Sequence, residues 1–88
     1  MRQIVITYKP TFLRDFKKLE KKIQIEAREK MALFTDEENH ERLRVHKLAG
    51  KLKGCHSFSI TYAHRIIFSW ESKDTVVFLG IGTHDIYD

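Results

Sequence analysis

The second half of the chain carries its clearest hydrophobic pattern, three short segments in which apolar and polar side chains alternate. These segments are His56–Tyr62, Arg65–Trp70 and Thr75–Thr83, and turn residues separate them. Alternation with a period of two is typical of a β-strand that is buried on one face only. The pattern therefore predicts three antiparallel strands in a meander. The side chains predicted to face the core are Phe58, Ile60, Tyr62, Ile66, Phe68, Trp70, Val77, Leu79 and Ile81.

The opposite face of this predicted sheet carries small and polar side chains, and we take it as the candidate site. A slip of one residue would turn the apolar set toward water, so the register is well defined. Glycine inside a strand weakens that strand and often marks a place where another group approaches closely. An arginine, two glycines and a histidine are an unusual set for a plain solvent-facing surface. The residues predicted to share this face are Ser59, Arg65, Gly80, Gly82 and His84.

One further strand and two helices are predicted before the meander. Residues Arg2–Tyr8 are rich in β-branched side chains, and Pro10 then stops the strand and suits the first turn of a helix. Apolar residues recur afterwards at three- and four-residue spacing, which predicts helices over about Pro10–Leu19 and about Lys22–Phe34. The order predicts a single α+β domain over residues 1–88. It consists of a strand, a two-helix hairpin and a three-stranded antiparallel meander, with the helices on one face of the sheet.

Composition narrows the class of protein further. A chain of 88 residues suits one domain with one hydrophobic core. No segment is long and apolar enough to span a membrane, and the first residues do not have the pattern of a signal peptide. Cys55 is the only cysteine, which excludes an internal disulfide and a cysteine-based metal cluster. We therefore expect a reducing, cytoplasmic location and no membrane partner.

Charge is distributed unevenly along the chain. The formal net charge of +4 is modest, but no acidic residue occurs between Glu41 and Glu71. A segment this one-sided predicts a polyanion or an acidic protein as the partner. Any single cation of the segment can equally be an ordinary solvated side chain. The basic residues of this stretch are Arg42, Arg44, Lys47, Lys51, Lys53 and Arg65.

Three segments in order resemble the RelE/ParE toxin superfamily of bacterial toxin–antitoxin systems, and the likeness is greatest to its YafQ and YoeB branches. The segments are Val45–Gly54, Ala63–Phe68 and Gly82–Tyr87, and the likeness extends over nearly the whole chain. The resemblance implies an mRNA interferase, a toxin that cleaves mRNA on the ribosome, inhibits translation and is neutralised by a cognate antitoxin. It also implies that operator DNA is bound only through the antitoxin, and that the reaction uses no metal or other cofactor.

The implied chemistry explains why these residue types occur. RNA is cut without a metal when the ribose 2′-OH attacks the neighbouring phosphate, which leaves a 2′,3′-cyclic phosphate. The reaction needs a base near the 2′-OH, cationic groups for the charge that develops on the phosphorane, and an acid for the departing 5′-oxygen. Histidine can serve as base or acid near neutral pH, and arginine binds phosphate through two parallel hydrogen bonds.

The resemblance implies catalytic roles for His46, Arg65 and His84. His46 matches a catalytic histidine of the YafQ branch and a glutamate base of the YoeB branch. Arg65 matches an arginine that contacts the scissile phosphate in YoeB-like toxins, and His84 matches the C-terminal catalytic histidine of YafQ-like toxins. The sequence leaves open which histidine is the base and which is the acid. The residues implied to bind the substrate are Lys47, Lys51, Lys53, Ser59 and Tyr87, the last by stacking on a base.

Two positions depart from the family pattern. Ser59 stands where the YafQ branch has another histidine and the YoeB branch an arginine, and Ala63 replaces an active-site aspartate of the YafQ branch. Two other functions stay open: a ParE-like toxin that inhibits gyrase without nuclease activity and, because of these two substitutions, an inert member that binds its antitoxin and operator DNA. Paired site histidines favour the nuclease. His40 and His56 are expected to be ordinary surface histidines.

Overall fold

Two helices packed against a five-stranded sheet form the structure, a computed structural model that describes residues 3–83. The elements are β1 (Val5–Tyr8), α1 (Pro10–Lys17), α2 (Lys21–Phe34), β2 (His46–Lys47), β3 (His56–Ser59), β4 (Arg65–Trp70) and β5 (Thr75–Gly82). The strands lie in the order β1-β5-β4-β3-β2, in which β1 is parallel to β5 and the other neighbours are antiparallel. This architecture confirms the predicted α+β class, the helical hairpin and the meander.

The helices begin and end near their predicted bounds. Pro10 is the first residue of α1, where its fixed φ suits the helix and its missing N–H would have been unpaired anyway. α1 ends at Lys17, short of the predicted Leu19. The Gln24 side chain donates to the Phe16 carbonyl oxygen at 3.1 Å, which satisfies one of the groups that a helix end leaves free. Within residues 3–83, neither helix is long and apolar enough to cross a membrane.

Aromatic rings fill the space between the helices and the sheet. Phe34, the last residue of α2, is fully buried in this core. Its ring stacks on Phe58 at 4.5 Å between centroids and meets Phe68 edge-on at 5.0 Å. Ring pairs of this kind add to the stabilisation that burial provides. The buried cluster consists of Ile4, Phe12, Ala27, Phe34, Leu43, Phe58, Ile60, Ile66, Phe68, Val76, Phe78 and Ile81.

The prediction of which β5 side chains face the core is wrong in part, because this strand contains a β-bulge. The pairing of β4 with β5 shifts by one residue at Leu79, which is the extra residue of the bulge. An extra residue reverses the alternation of side chains between the two faces. Before the bulge, Val76 and Phe78 therefore enter the core cluster, whereas Val77 is buried on the opposite face and Leu79 itself is only half-buried. After the bulge, Ile81 enters the core as predicted.

The hairpin between β3 and β4 begins earlier than the alternation predicts. β3 ends at Ser59, and the Tyr62 side chain, which was predicted to face the core, is fully exposed. The Thr61 hydroxyl oxygen accepts from the backbone N–H groups of Ala63 and His64 at 3.2 and 3.1 Å, which closes the turn. Threonine side chains that bond to nearby backbone groups in this way compete with strand formation.

A short edge strand, β2, is present where the pattern predicted none. His46 pairs with Ser57 of β3, and Lys47 pairs with His56. Two residues are too few to show alternation, so only the pairing reveals this strand. Because neighbouring side chains of a strand point to opposite faces, His46 and Lys47 face opposite sides of the sheet.

The two histidines that were expected on the surface, His40 and His56, are instead half-buried. His40 stacks on Phe34 at 4.5 Å, and its Nε2 lies 2.8 Å from the Phe34 carbonyl oxygen. A carbonyl oxygen can only accept a hydrogen bond, so Nε2 carries a proton. His56 stacks on Phe68 at 5.5 Å. Both rings serve as aromatic packing, a use of histidine that the sequence pattern does not reveal.

Candidate functional site

Strand pairing aligns the candidate residues in two rows on the face of the sheet that points away from the core cluster. Residues paired across antiparallel strands place their side chains on the same face. The register therefore agrees with the prediction that the two glycines, the serine and the arginine share one face, and it adds His46 to that face. One row consists of Ser59, Arg65 and Gly82, and the next row consists of His46, Ser57, Ile67 and Gly80.

An open cleft of about 690 Å³ on this face brings His46 and Arg65 together with the hairpin that follows β3. His46 is exposed and Arg65 is half-buried. Among the described residues that line the cleft, two are arginines and none is acidic, so the cleft is electrostatically suited to an anion such as a phosphodiester. Within residues 3–83, no group of three histidine, cysteine, aspartate or glutamate side chains is placed to hold a metal ion. The lining residues are Arg44, Val45, His46, Ser59, Thr61, Tyr62 and Arg65.

The backbone holds the neutral His46 ring in one tautomer. Its Nδ1 lies 2.8 Å from the carbonyl oxygen of Arg44, and because that oxygen can only accept, Nδ1 carries the proton. Nε2 therefore keeps its lone pair, and the hydroxyl oxygen of the fully buried Ser57 lies 3.4 Å from it. The imidazole is thus oriented by the main chain at Nδ1 and is able to accept a proton at Nε2.

Arg44 has an unusual backbone conformation next to this histidine. Its φ is +61°, in the left-handed region, which costs a residue other than glycine roughly 1–2 kcal/mol. The residue ends the turn formed by residues 40–44, in which the Val45 N–H donates to the His40 carbonyl oxygen at 3.0 Å. From this position the Arg44 carbonyl reaches His46 Nδ1. The strained turn and the tautomer of the histidine are therefore coupled.

Replacing Arg44 by glycine should leave the free energy of unfolding unchanged or raise it by up to about 1 kcal/mol. Glycine adopts the left-handed conformation without strain, and the arginine side chain is exposed, so little packing is lost. Arg44→Ala is the matched control, because it removes the same side chain but keeps the strain. Urea denaturation measures both variants, and a glycine variant less stable than the alanine variant would contradict this account of the turn.

The two glycines of the predicted site lie beside the cleft rather than in its lining. Gly82 lines a smaller cavity of about 330 Å³, together with Asp15 and His64. A methyl group at Gly80 would have Asp15 Oδ2 as its nearest neighbour, at 3.9 Å, which is an ordinary contact. Among residues 3–83, nothing therefore approaches Gly80 as closely as the sequence led us to expect.

The lysines predicted to bind RNA occupy two environments. Lys47 and Lys53 line a cavity of about 430 Å³ formed by residues 47–56, which we call the loop pocket. Lys51 is exposed on the same loop and does not line this pocket. His84 and Tyr87 lie outside the described residues. The roles implied for all five residues stay predictions.

Four residues line the cleft although the sequence analysis predicted no site role for them: Arg44, Val45, Thr61 and Tyr62. Arg44 was noted only as part of the basic stretch. Thr61 and Tyr62 were assigned to the strand, because their alternation with Ile60 continues that of β3. One signal could have shown that these two residues belong to a turn: threonine is a common turn former, and Thr61 lies in a short segment between two strands.

Comparison with solved structures identifies the fold. YafQ from E. coli strain BL21(DE3) superposes with a TM-score of 0.77 at 19% sequence identity, over 97% of this chain and 98% of that chain. The toxin–antitoxin complex RelBE2 from Mycobacterium tuberculosis gives 0.68 at 22% identity, over 93% and 99%. A YoeB/ParE toxin from Agrobacterium tumefaciens gives 0.65 at 14% identity, over 92% and 99%.

These identities are low, and the likeness is one of fold. A comparison with models of protein families finds no match, and neither does a comparison with curated proteins. The chain shares the fold of these YafQ, RelBE2 and YoeB/ParE structures, which confirms the fold that the sequence resemblance implied. Within this group, the YafQ structure shares the fold over almost its entire length.

Proposed function

We propose that this chain is the toxin of a type II toxin–antitoxin system, and that it cleaves mRNA on the ribosome without a metal ion. The observation that carries the proposal is the presence of His46 and Arg65 in one cleft of a RelE-like fold. A proton acceptor and a guanidinium group in the same cleft are what the attack of a ribose 2′-OH on its own phosphate requires.

His46 is the proposed base. Its Nδ1–H donates to the Arg44 carbonyl, so Nε2 is the atom left to take the proton from the 2′-OH. As the 2′-oxygen bonds to phosphorus, the bond from phosphorus to the 5′-oxygen breaks, and that oxygen takes a proton from an acid. The Arg44 carbonyl also stabilises the imidazolium that forms, because the hydrogen bond from Nδ1 strengthens when the ring becomes charged. The products are a 2′,3′-cyclic phosphate and a 5′-hydroxyl.

Arg65 is proposed to bind the non-bridging oxygens of the scissile phosphate. Its cross-strand neighbours are Ser59 and Gly82, and both are small, which leaves room for a phosphate beside the guanidinium. The Ser59 hydroxyl can donate one hydrogen bond to the same phosphate. A hydroxyl carries no charge, so Ser59 cannot replace the histidine or arginine that the related toxins have at this position. Arg65 is therefore proposed to supply more of the electrostatic stabilisation of the phosphorane. The acid is proposed to be His84, on the basis of the family resemblance alone.

Tyr62 is proposed to stack on an unpaired base at the rim of the cleft, since its ring is fully exposed there. Tyr62→Ala should weaken the binding of mRNA by roughly 1–3 kcal/mol, the range for the loss of one base–aromatic stack. Tyr62→Phe keeps the ring and serves as the control. Equilibrium binding to programmed ribosomes that carry a non-cleavable message measures both variants. An alanine variant that binds as tightly as the phenylalanine variant would exclude this role.

A cognate antitoxin is the proposed protein partner. The structural neighbour RelBE2 is described as a toxin–antitoxin complex, and the net charge of +4 suits a partner with an acidic segment. Operator DNA is proposed to be bound only through that antitoxin, because the basic cleft of the toxin is proposed to bind RNA.

Gyrase inhibition is the second candidate function, because one structural neighbour is described as a YoeB/ParE toxin. Induced expression of the chain, followed by primer extension on a reporter mRNA, separates the two candidates. New 5′ ends within translated codons, with chromosomal DNA intact, would support the nuclease. Intact mRNA together with a DNA-damage response would support gyrase inhibition instead.

A further inference from the structure

The loop pocket lies on the other side of strand β2 from the cleft and takes no part in the proposed reaction. We infer that it binds one nucleotide of single-stranded RNA, with the base against its apolar floor and the phosphate between Lys47 and Lys53. The floor consists of Leu48, Ala49, Gly50 and Gly54. The inference rests on the proposed RNA-directed function and adds a second site for the same substrate.

The pocket is built into the loop between β2 and β3. The Leu48 N–H donates to the Cys55 carbonyl oxygen at 2.9 Å, which continues the pairing of the two strands into the loop. Gly50 and Gly54 have φ values of +66° and +96°, so the chain turns at both positions in conformations that glycine adopts without strain. The pocket is open on one side, and its volume of about 430 Å³ falls within the roughly 300–1,000 Å³ of small-ligand sites.

The charges at the pocket favour an anion with an apolar part. Within residues 3–83, neither Lys47 nor Lys53 forms an ion pair with a carboxylate. Both lie in the stretch from Arg42 to Trp70 that contains no acidic residue. A nucleotide combines a flat base that packs on apolar surface with a phosphate that attracts lysine, so it matches both parts of the pocket.

His56 lines the pocket, and its pKa depends on the charges bound there. Its Nδ1 is buried and has no hydrogen-bond partner within the described residues. Burial, followed by the positive charges of Lys47 and His46, lowers the pKa of His56 below its ordinary value. A phosphate bound at Lys47 cancels part of that repulsion. Occupation of the pocket should therefore raise the pKa of His56.

The position of the pocket connects it to the cleft. β2 is the last strand of the sheet on its side, and its two residues face opposite sides. His46 thus lies in the cleft and Lys47 in the loop pocket, one residue apart. Within the described part of the chain no further strand pairs with the outer edge of β2, so a single strand of RNA can pass around this edge between the two sites.

Binding of a short single-stranded RNA with 2′-O-methyl riboses tests the inference apart from cleavage, because this RNA cannot be cut. In Lys47→Ala/Lys53→Ala, the slope of log affinity against log salt should become shallower by roughly 0.7, since the one phosphate bound between the two lysines contributes about 0.7 on a single strand. Lys9→Ala is the matched control and should keep the wild-type slope, because Lys9 is exposed after β1, at the opposite edge of the sheet from β2. Ala49→Leu fills the floor without changing the charge and should weaken binding roughly 5- to 150-fold, the loss of one base contact.

Equal salt slopes for the double variant and Lys9→Ala would overturn the inference, and so would unchanged binding by a folded Ala49→Leu. A second readout is the pKa of His56, followed by NMR during addition of 5′-AMP. We expect this pKa to rise in the wild type and in Lys9→Ala but not in the double variant. An acidic peptide that raises it while 5′-AMP does not would also overturn the inference.

The proposed function can fail separately from this inference. A protein that binds the methylated RNA with the predicted dependence on Lys47 and Lys53, but leaves mRNA on ribosomes intact, supports the pocket and excludes the nuclease. A protein that cleaves mRNA but shows no effect of the double variant on binding supports the nuclease and excludes the pocket.

Discussion

Arg65→Ala is expected to lower the single-turnover rate of mRNA cleavage on ribosomes about 10²–10³-fold, the usual effect of removing one group that stabilises charge in the transition state. The guanidinium is the half-buried cation of the cleft, and its paired neighbours Ser59 and Gly82 carry no charge that could replace it. Affinity for the ribosome should change far less than the rate, because most of the basic stretch is retained.

Two further variants show whether the effect belongs to this particular arginine. Arg65→Lys keeps the charge but loses the planar pair of donors, so its rate should fall between those of the wild type and the alanine variant. Arg42→Ala removes an exposed arginine of the same acid-free stretch that does not line the cleft, and it should cleave at the wild-type rate. Thermal unfolding of each variant controls for loss of the fold. Equal rates for Arg65→Ala and Arg42→Ala would contradict the role given to Arg65.

His46→Gln is expected to lower the same rate about 10²–10⁴-fold, the usual contribution of a general base. Glutamine keeps a donor for the Arg44 carbonyl and a similar size, but it cannot take the proton of the 2′-OH.

His40→Gln is the matched control for the histidine. His40 is held by the Phe34 carbonyl and packs on the Phe34 ring, away from the lining of the cleft. Its replacement should lower stability and leave the cleavage rate of the folded protein unchanged. A His46→Gln protein that keeps the wild-type rate would show that another group is the base.

Most of the fold follows from the sequence because its strands alternate strongly and its helices carry an apolar stripe. The exceptions have local causes. The bulge at Leu79 reverses the alternation within a run that is apolar at every position from Val76 to Leu79, so the sequence contains no mark of the reversal. The threonine-closed turn ends β3 at Ser59, and the two-residue β2 is too short to show any period.

The candidate site was predictable only in part. Register arguments and the family resemblance led to His46, Arg65 and Ser59, and the three line the same cleft. The tautomer of His46 was not predictable, because it depends on the positive φ of Arg44, a conformation that arginine rarely adopts. The loop pocket was not predictable either, since it depends on how two glycines and two lysines are arranged in space rather than on their order in the sequence.

The ends of the RNA fragments test the central claim most directly. Ribosomes programmed with a defined mRNA are incubated with the wild-type protein, and the fragments are identified by mass spectrometry. Attack by the 2′-OH predicts a 2′,3′-cyclic phosphate on the upstream fragment and a 5′-hydroxyl on the downstream fragment. A 3′-hydroxyl on the upstream fragment with a 5′-phosphate on the downstream one would contradict the account, because these ends arise when water, rather than the ribose, attacks the phosphate.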